Sequence, residues 1–145
     1  MTRTALDSSV LIASLDTGHL HYALTTPYFD DARDGTRQLV VSTHALAETF
    51  STLTALPVTP RILPQKALRL IEESVLAVAE AVALDADDYR AVLSRLADLG
   101  LPSGAVYDAL HVRAAEKARA DELVTFNGRD FRRMPPADPC RLVVL

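Results

Sequence analysis

The chain has 145 residues, 49% hydrophobic, 23% charged and 6% aromatic, with 5 Gly and 8 Pro. That composition supports one compact domain over residues 1–145 and excludes a disordered, collagenous or low-complexity chain. Lys and Arg number 15 against 19 Asp and Glu, a formal charge of −4, so a nucleic-acid contact has to come from a local basic patch rather than a global field.

Cys140 is the single cysteine, which rules out an intramolecular disulfide and a cysteine zinc site and fits a reducing compartment. The apolar run Val10-Leu11-Ile12-Ala13 is broken by Asp7-Ser8-Ser9 before it and Asp16 after it. With that interruption neither a spanning helix of about 20 apolar residues nor a signal peptide is expected here. The expectation is a cytoplasmic protein without membrane contact.

Along the chain, Thr4-Ala5-Leu6 reads as a buried strand ending in Asp7, followed by a helix Ser8–Leu15 capped by Ser8 or Ser9. His19–Arg33 is helical. Pro27 predicts a kink or a restart there, with Thr26 as N-cap, and Gly35 ends the segment. Leu39–Val41 is the second strand, and Ser42 or Thr43 caps a helix His44–Leu53 whose apolar face carries Leu46, Phe50 and Leu53. A proline-punctuated connector leads to a helix Pro64–Leu76 with Ala67, Leu70, Ile71 and Val75 on one face.

Val78–Leu84 reads as a strand. Asp85, with Asp88 in a capping-box position, opens an amphipathic helix carrying Tyr89, Val92, Leu93, Leu96 and Leu99, which Gly100 and Pro102 stop. Val106–Ala120 is a further helix, Leu123–Thr125 a strand, Asn127-Gly128 a turn and Leu142–Val144 a terminal strand. Strands alternating with helices predict a three-layer α/β/α sandwich around a mostly parallel central sheet. Ligands of such sheets bind beyond the carboxyl ends of the strands.

Carboxylates fall at those ends. Asp7 closes the first strand, Glu48 follows the second, Asp108 opens a late helix and Asp130 follows the strand Leu123–Thr125. Carboxylates ~4 Å apart repel by about 4 kcal/mol at an effective dielectric of 20, and a divalent cation reverses that sign. An all-oxygen donor set selects Mg²⁺ or Mn²⁺, which can polarise a phosphodiester and acidify a bound water. Each residue alone also has a plainer role: Asp7 can cap the following helix and Asp130 the turn Phe131–Arg133.

His44 lies four residues before Glu48 and His111 three after Asp108, each pair on a shared helix face. A mixed histidine–carboxylate site and half-buried histidines that pack and bond locally are the two readings; His19 and His21 read as surface residues. Asp7 also admits a phosphoacceptor reading, which Ser9 opposes by standing where an aspartyl phosphatase places its second aspartate. Arg129, Arg132 and Arg133 cluster beside Asp130, while Arg113, Lys117 and Arg119 follow Asp108. Guanidinium groups suit phosphates and stacked bases, and a solvated helix face is the plainer alternative.

Four segments in order resemble the motifs of PIN-domain ribonucleases, above all the VapC toxins of bacterial type II toxin–antitoxin systems. They are Leu6-Asp7-Ser8-Ser9-Val10-Leu11-Ile12, Ala47-Glu48-Thr49-Phe50, Tyr107-Asp108-Ala109-Leu110-His111-Val112 and Leu123 through Phe131. The resemblance implies a Mg²⁺-dependent endoribonuclease (Mn²⁺ being possible) that hydrolyses RNA through metal-activated water. It implies a homodimer silenced by a VapB-like antitoxin. Asp7, Glu48 and Asp108 match the three core acidic positions and Asp130 a fourth, whereas many members carry Asp where this chain has Asn127. Ser9 and Thr125 match small hydroxyl positions near the site, with local turn bonds as their alternative, and Arg129, Arg132, Arg133 and Arg113 are the candidate RNA contacts. Asn127 leaves a second expectation, a catalytically weak PIN-like module that binds RNA or protein.

Overall fold

Parallel strands covered on both faces read as short apolar runs, and the three central strands here are of that kind. The computed structural model describes residues 1–145. It places β1 (Thr2–Leu6), β2 (Arg37–Ser42), β3 (Ala79–Val82), β4 (Glu122–Thr125) and β5 (Arg141–Val144) in one sheet ordered β3-β2-β1-β4-β5. Every pairing is parallel. The edge strands β3 and β5 are more exposed than the three between them.

Side chains alternate across the sheet and sort the helices into layers. Leu6, Leu39, Val41 and Val124 pack under α1 (Ser8–Leu15), α2 (Tyr22–Arg33) and α3 (Thr43–Ala55) through Val10, Leu11, Phe29 and Ala45. The same layer receives Val75 from a π-helical turn, Ile71–Leu76, that continues α4 (Pro64–Leu70). On the opposite face Ala5, Val40 and Leu123 meet Val112, Ala114 and Ala115 of α6 (Ala105–Lys117). α5 (Ala86–Leu99) lies outside α6, joined to it by Val92, Leu96, Ala109 and Leu110. This is the expected three-layer α/β/α arrangement. No helix is long and apolar enough to cross a membrane.

Local departures from the sequence reading have identifiable causes. α2 runs through Pro27 without a restart. The proline lacks the N–H that would bond the Ala23 carbonyl, and the Thr26 hydroxyl donates to that carbonyl instead at 3.0 Å. α3 buries Ala45, Thr49 and Leu53 fully and packs Leu46 against the same core, while Phe50 of the expected apolar face is left exposed. α5 buries only Val92 and Leu96 of its apolar set, since it packs on α6 and not on the sheet; Tyr89, Leu93 and Leu99 stay exposed. Asn127 starts a short helix, α7 (Gly128–Phe131), in place of the expected turn.

Candidate active site

The chain runs outward from β1 to β2 and β3 and then returns to the other side of β1 as β4. A reversal of this kind opens a crevice at the carboxyl ends of the strands. Asp7 stands there, 1% exposed, with both oxygens held. Its Oδ1 accepts from the Ser9 hydroxyl at 2.6 Å and from the Val10 N–H at 3.1 Å, so Asp7 itself, not Ser8 or Ser9, caps α1. Its Oδ2 accepts from the Thr125 hydroxyl at 2.7 Å. The two hydroxyls are fixed in turn by the N–H groups of Phe126, at 3.1 Å, and Asn127, at 2.9 Å. Burial pushes the Asp7 carboxyl above its ordinary range, against the pull of the nearby His111 and of these donors.

Glu48 projects from α3 and is half-buried. His111 of α6 reaches across the end of the sheet and donates from Nε2 to Glu48 Oε1 at 2.7 Å, while its Nδ1 lies 3.2 Å from Ser42 Oγ. An ionised Glu48 can only accept, which puts a proton on Nε2, and Ser42, which caps α3 by accepting the Ala45 N–H, has its own proton to offer Nδ1 of the neutral ring. This relay assigns the ring proton to Nε2. His44 Nε2 also lies 3.0 Å from Oε1, but outside hydrogen-bond geometry, and is buried without a partner. Burial pushes Glu48 up; the hydrogen bond and charge of His111, joined by His44, outweigh it and hold the carboxyl below its ordinary value. Burial also lowers His44.

Asp108, in the first turn of α6, is half-buried and has no basic partner. Burial, followed by the charges of Asp130, Asp7 and Glu48, lifts its carboxyl to about 6 against the pull of His111. Asp108 therefore feels the charges of the other three carboxylates singled out in the sequence. Asp130 sits in α7, half-exposed, with Arg133 Nη2 3.6 Å away.

The residues fit a hard divalent cation in chemistry and in charge. All four are oxygen donors, and Asp7 and Asp108 face each other's charge with no side-chain cation on either. They do not form a closed cage, for no three His, Cys, Asp or Glu groups are gathered tightly enough to grip an ion alone. Mg²⁺ characteristically takes one or two carboxylates and keeps several waters, which suits so open a set.

Arg129, Arg132 and Arg133 are exposed around α7, beside Asp130. Arg113 is elsewhere: its Nε donates to Asp88 Oδ1 of α5 at 2.9 Å, next to Lys117 at 2.6 Å. Five residues beyond Asp108, it lies about 140° round the helix and faces α5 instead of the rim. Sequence reasoning set His44 and His111 between ligation and local packing. His44 stays within its own helix beside Glu48, as the local reading has it, whereas His111 bonds Glu48 across 63 positions, a contact no local spacing signals.

The sequence matches the family model of the PIN domain over residues 4–135. The chain belongs to the PIN-domain family. It is 36% identical over 125 residues to Ribonuclease VapC27 of Mycobacterium tuberculosis, covering 86% of this chain and 85% of that one. It is 33% identical over 140 residues to Ribonuclease VapC40 of the same species, covering 97% and 96%. These likenesses place it among the VapC-type PIN proteins. Its fold resembles that of M. tuberculosis VapC20, a sarcin–ricin loop cleaving toxin, with a TM-score of 0.71 at 15% identity over 90% of this chain and 95% of that one. It also resembles VapBC2 of Rickettsia felis, solved with a promoter DNA fragment, with a TM-score of 0.68 at 20% identity over 99% of both chains.

Proposed function

We propose that this PIN-domain protein is a metal-dependent endoribonuclease and the toxin of a toxin–antitoxin pair. The observation that carries the reading is Asp108 at the strand-end crevice, without a basic partner and lifted first by burial and then by the charges of Asp130, Asp7 and Glu48. Asp7, Glu48, Asp108 and Asp130 would hold one or two Mg²⁺ or Mn²⁺ ions. Such an ion, when bound, supplies a water acidified for hydrolysis and neutralises charge on the scissile phosphate and departing oxygen.

The chain's own residues orient the site. Ser9, Thr125 and the Val10 N–H fix the direction of Asp7. His111 fixes that of Glu48, with Ser42 behind it. Arg129, Arg132 and Arg133 offer guanidinium groups to the RNA backbone. The relatives named ribonuclease support this reading, and structural neighbours solved as VapBC assemblies support a VapB-like antitoxin as partner. A homodimer in the cytoplasm completes the proposal.

Purified protein incubated with total RNA should cleave it with Mg²⁺ and stop with chelator, and Asp7→Asn should abolish the activity. Equal, metal-independent cleavage by both forms identifies contaminating ribonuclease and leaves only a binding module. Expression without antitoxin should arrest growth, with relief by Asp108→Asn; a folded variant that stays toxic removes Asp108 from the chemistry.

A further inference from the structure

Four rings form a column from the core to the surface beside the carboxylates. Phe131 is 1% exposed, and the His111 ring, also buried, lies 6.3 Å from it between centroids. His44 follows at 5.7 Å, and Tyr107 stacks on His44 at 5.3 Å with the two planes within 5°. Tyr107 ends the column and is 52% exposed. It directly precedes Asp108, and His44 lines a concavity of about 340 Å³ with Ala47, Glu48, Ser51 and Thr52.

An exposed tyrosine on a helix ordinarily exchanges rotamers, and ordering it costs side-chain entropy on binding. Here the ring runs parallel to and offset from His44, within 5° at 5.3 Å between centroids, so its plane is already set where it meets solvent. A ring whose plane is already set favours a flat, π-faced ligand over an aliphatic one. Phosphate contacts carry no base information, and a base splayed from a single strand needs such a surface.

We infer that Tyr107 is a stacking platform for a nucleobase of single-stranded RNA lying across the carboxylate rim. The inference rests on the nuclease reading above and adds to it the contact that holds a base beside the acidic site. With the base on Tyr107 the adjoining phosphate lies toward Glu48, whose Oε1 is 3.0 Å from Nε2 of the His44 ring beneath the platform.

The test is binding, not cleavage. A short single-stranded RNA containing 2-aminopurine is titrated into the full chain in chelator, and into Glu48→Gln protein with Mg²⁺. Binding should quench the probe. Tyr107→Ala should weaken binding about 5- to 150-fold, the range of one base–aromatic stack, and remove the quench. Tyr107→Phe should keep both, and Tyr107→Leu, which keeps apolar area without a flat π-face, should behave as Ala. The salt dependence should be unchanged in every Tyr107 variant, because no phosphate contact is lost. Native-like binding by folded Ala and Leu variants overturns the stacking role and leaves the nuclease reading standing. Failure of the unsubstituted Tyr107 protein to bind in either condition overturns the stacking role, while the nuclease reading stands or falls on the cleavage of total RNA. A change of oligomeric mass in Tyr107→Ala assigns the ring to a contact between chains and also overturns the proposal.

Discussion

Replacing Asp108 with Asn should stabilise the metal-free protein. Burial and three neighbouring carboxylates lift this group from 3.8 to about 6. Between those values the folded chain binds a proton that the unfolded chain has released. Stability therefore falls as the pH rises through the window and stays lower above it. The full shift corresponds to ~3 kcal/mol, and solvent screening of this half-exposed group brings the expectation to ~1 kcal/mol. Asp108→Asn removes the charge and keeps the shape, so at about pH 8 in chelator it should gain ~1 kcal/mol, a rise of about 4 °C in Tm. The gain should shrink toward pH 4, where the native carboxyl is already protonated. Urea unfolding followed by far-ultraviolet circular dichroism at both pH values measures it. Mg²⁺ should stabilise the native chain more than the variant. A variant no more stable than the native chain at pH 8, or with the same gain at both pH values, refutes the repulsion argument.

Thr125→Val removes the hydroxyl that donates to Asp7 Oδ2 and accepts the Asn127 N–H. Loss of a bond to a charged group predicts a cost of ~1.5–3 kcal/mol in denaturant unfolding, with weakened RNA cleavage. Gly128→Ala places a Cβ 2.7 Å and 2.9 Å from the Val144 methyl carbons, so overpacking should cost ~1–3 kcal/mol, and Val144→Ala in the same chain should restore most of it in thermal unfolding. Asp85→Ala breaks the reciprocal capping box of α5 and should cost ~1 kcal/mol of stability, leaving cleavage per folded molecule unchanged.

The strands were legible because parallel, doubly covered strands are written as short apolar runs, and the α5 cap because both halves of the box lie within three residues. Gly100 stops that helix in a left-handed conformation, φ 66°, as its position implied. Less legible was any feature whose deciding partner is distant in sequence or competes with equals. Asp7, Ser8 and Ser9 can all cap a helix, and the end of β1 decides among them. Pro27 reads as a break unless the Thr26 hydroxyl is known to reach the Ala23 carbonyl. Arg113 reads as part of a basic stripe until α5 supplies Asp88. For the carboxylates, position relative to strand ends was readable, whereas the burial that separates Asp7 from Asp130 was not.

The acidic residues divide the work of orientation unequally. Asp7 is locked by donors from α1 and β4, and Glu48 is held by a ring from the opposite layer. Asp108 has neither a cation nor a fixed donor and takes the repulsion of the other three. A site pre-arranged in this way keeps its geometry without a counter-charge, at a cost concentrated on one residue. The lock on Asp7 also ties it to the segment after β4, because the N–H groups of Phe126 and Asn127 hold the very hydroxyls that hold its carboxylate. That segment continues into α7, whose Gly128 leaves no room for a Cβ against Val144 of β5. Close packing at the far edge of the sheet thus bears on the direction of a carboxylate at its centre, through two hydrogen bonds in series.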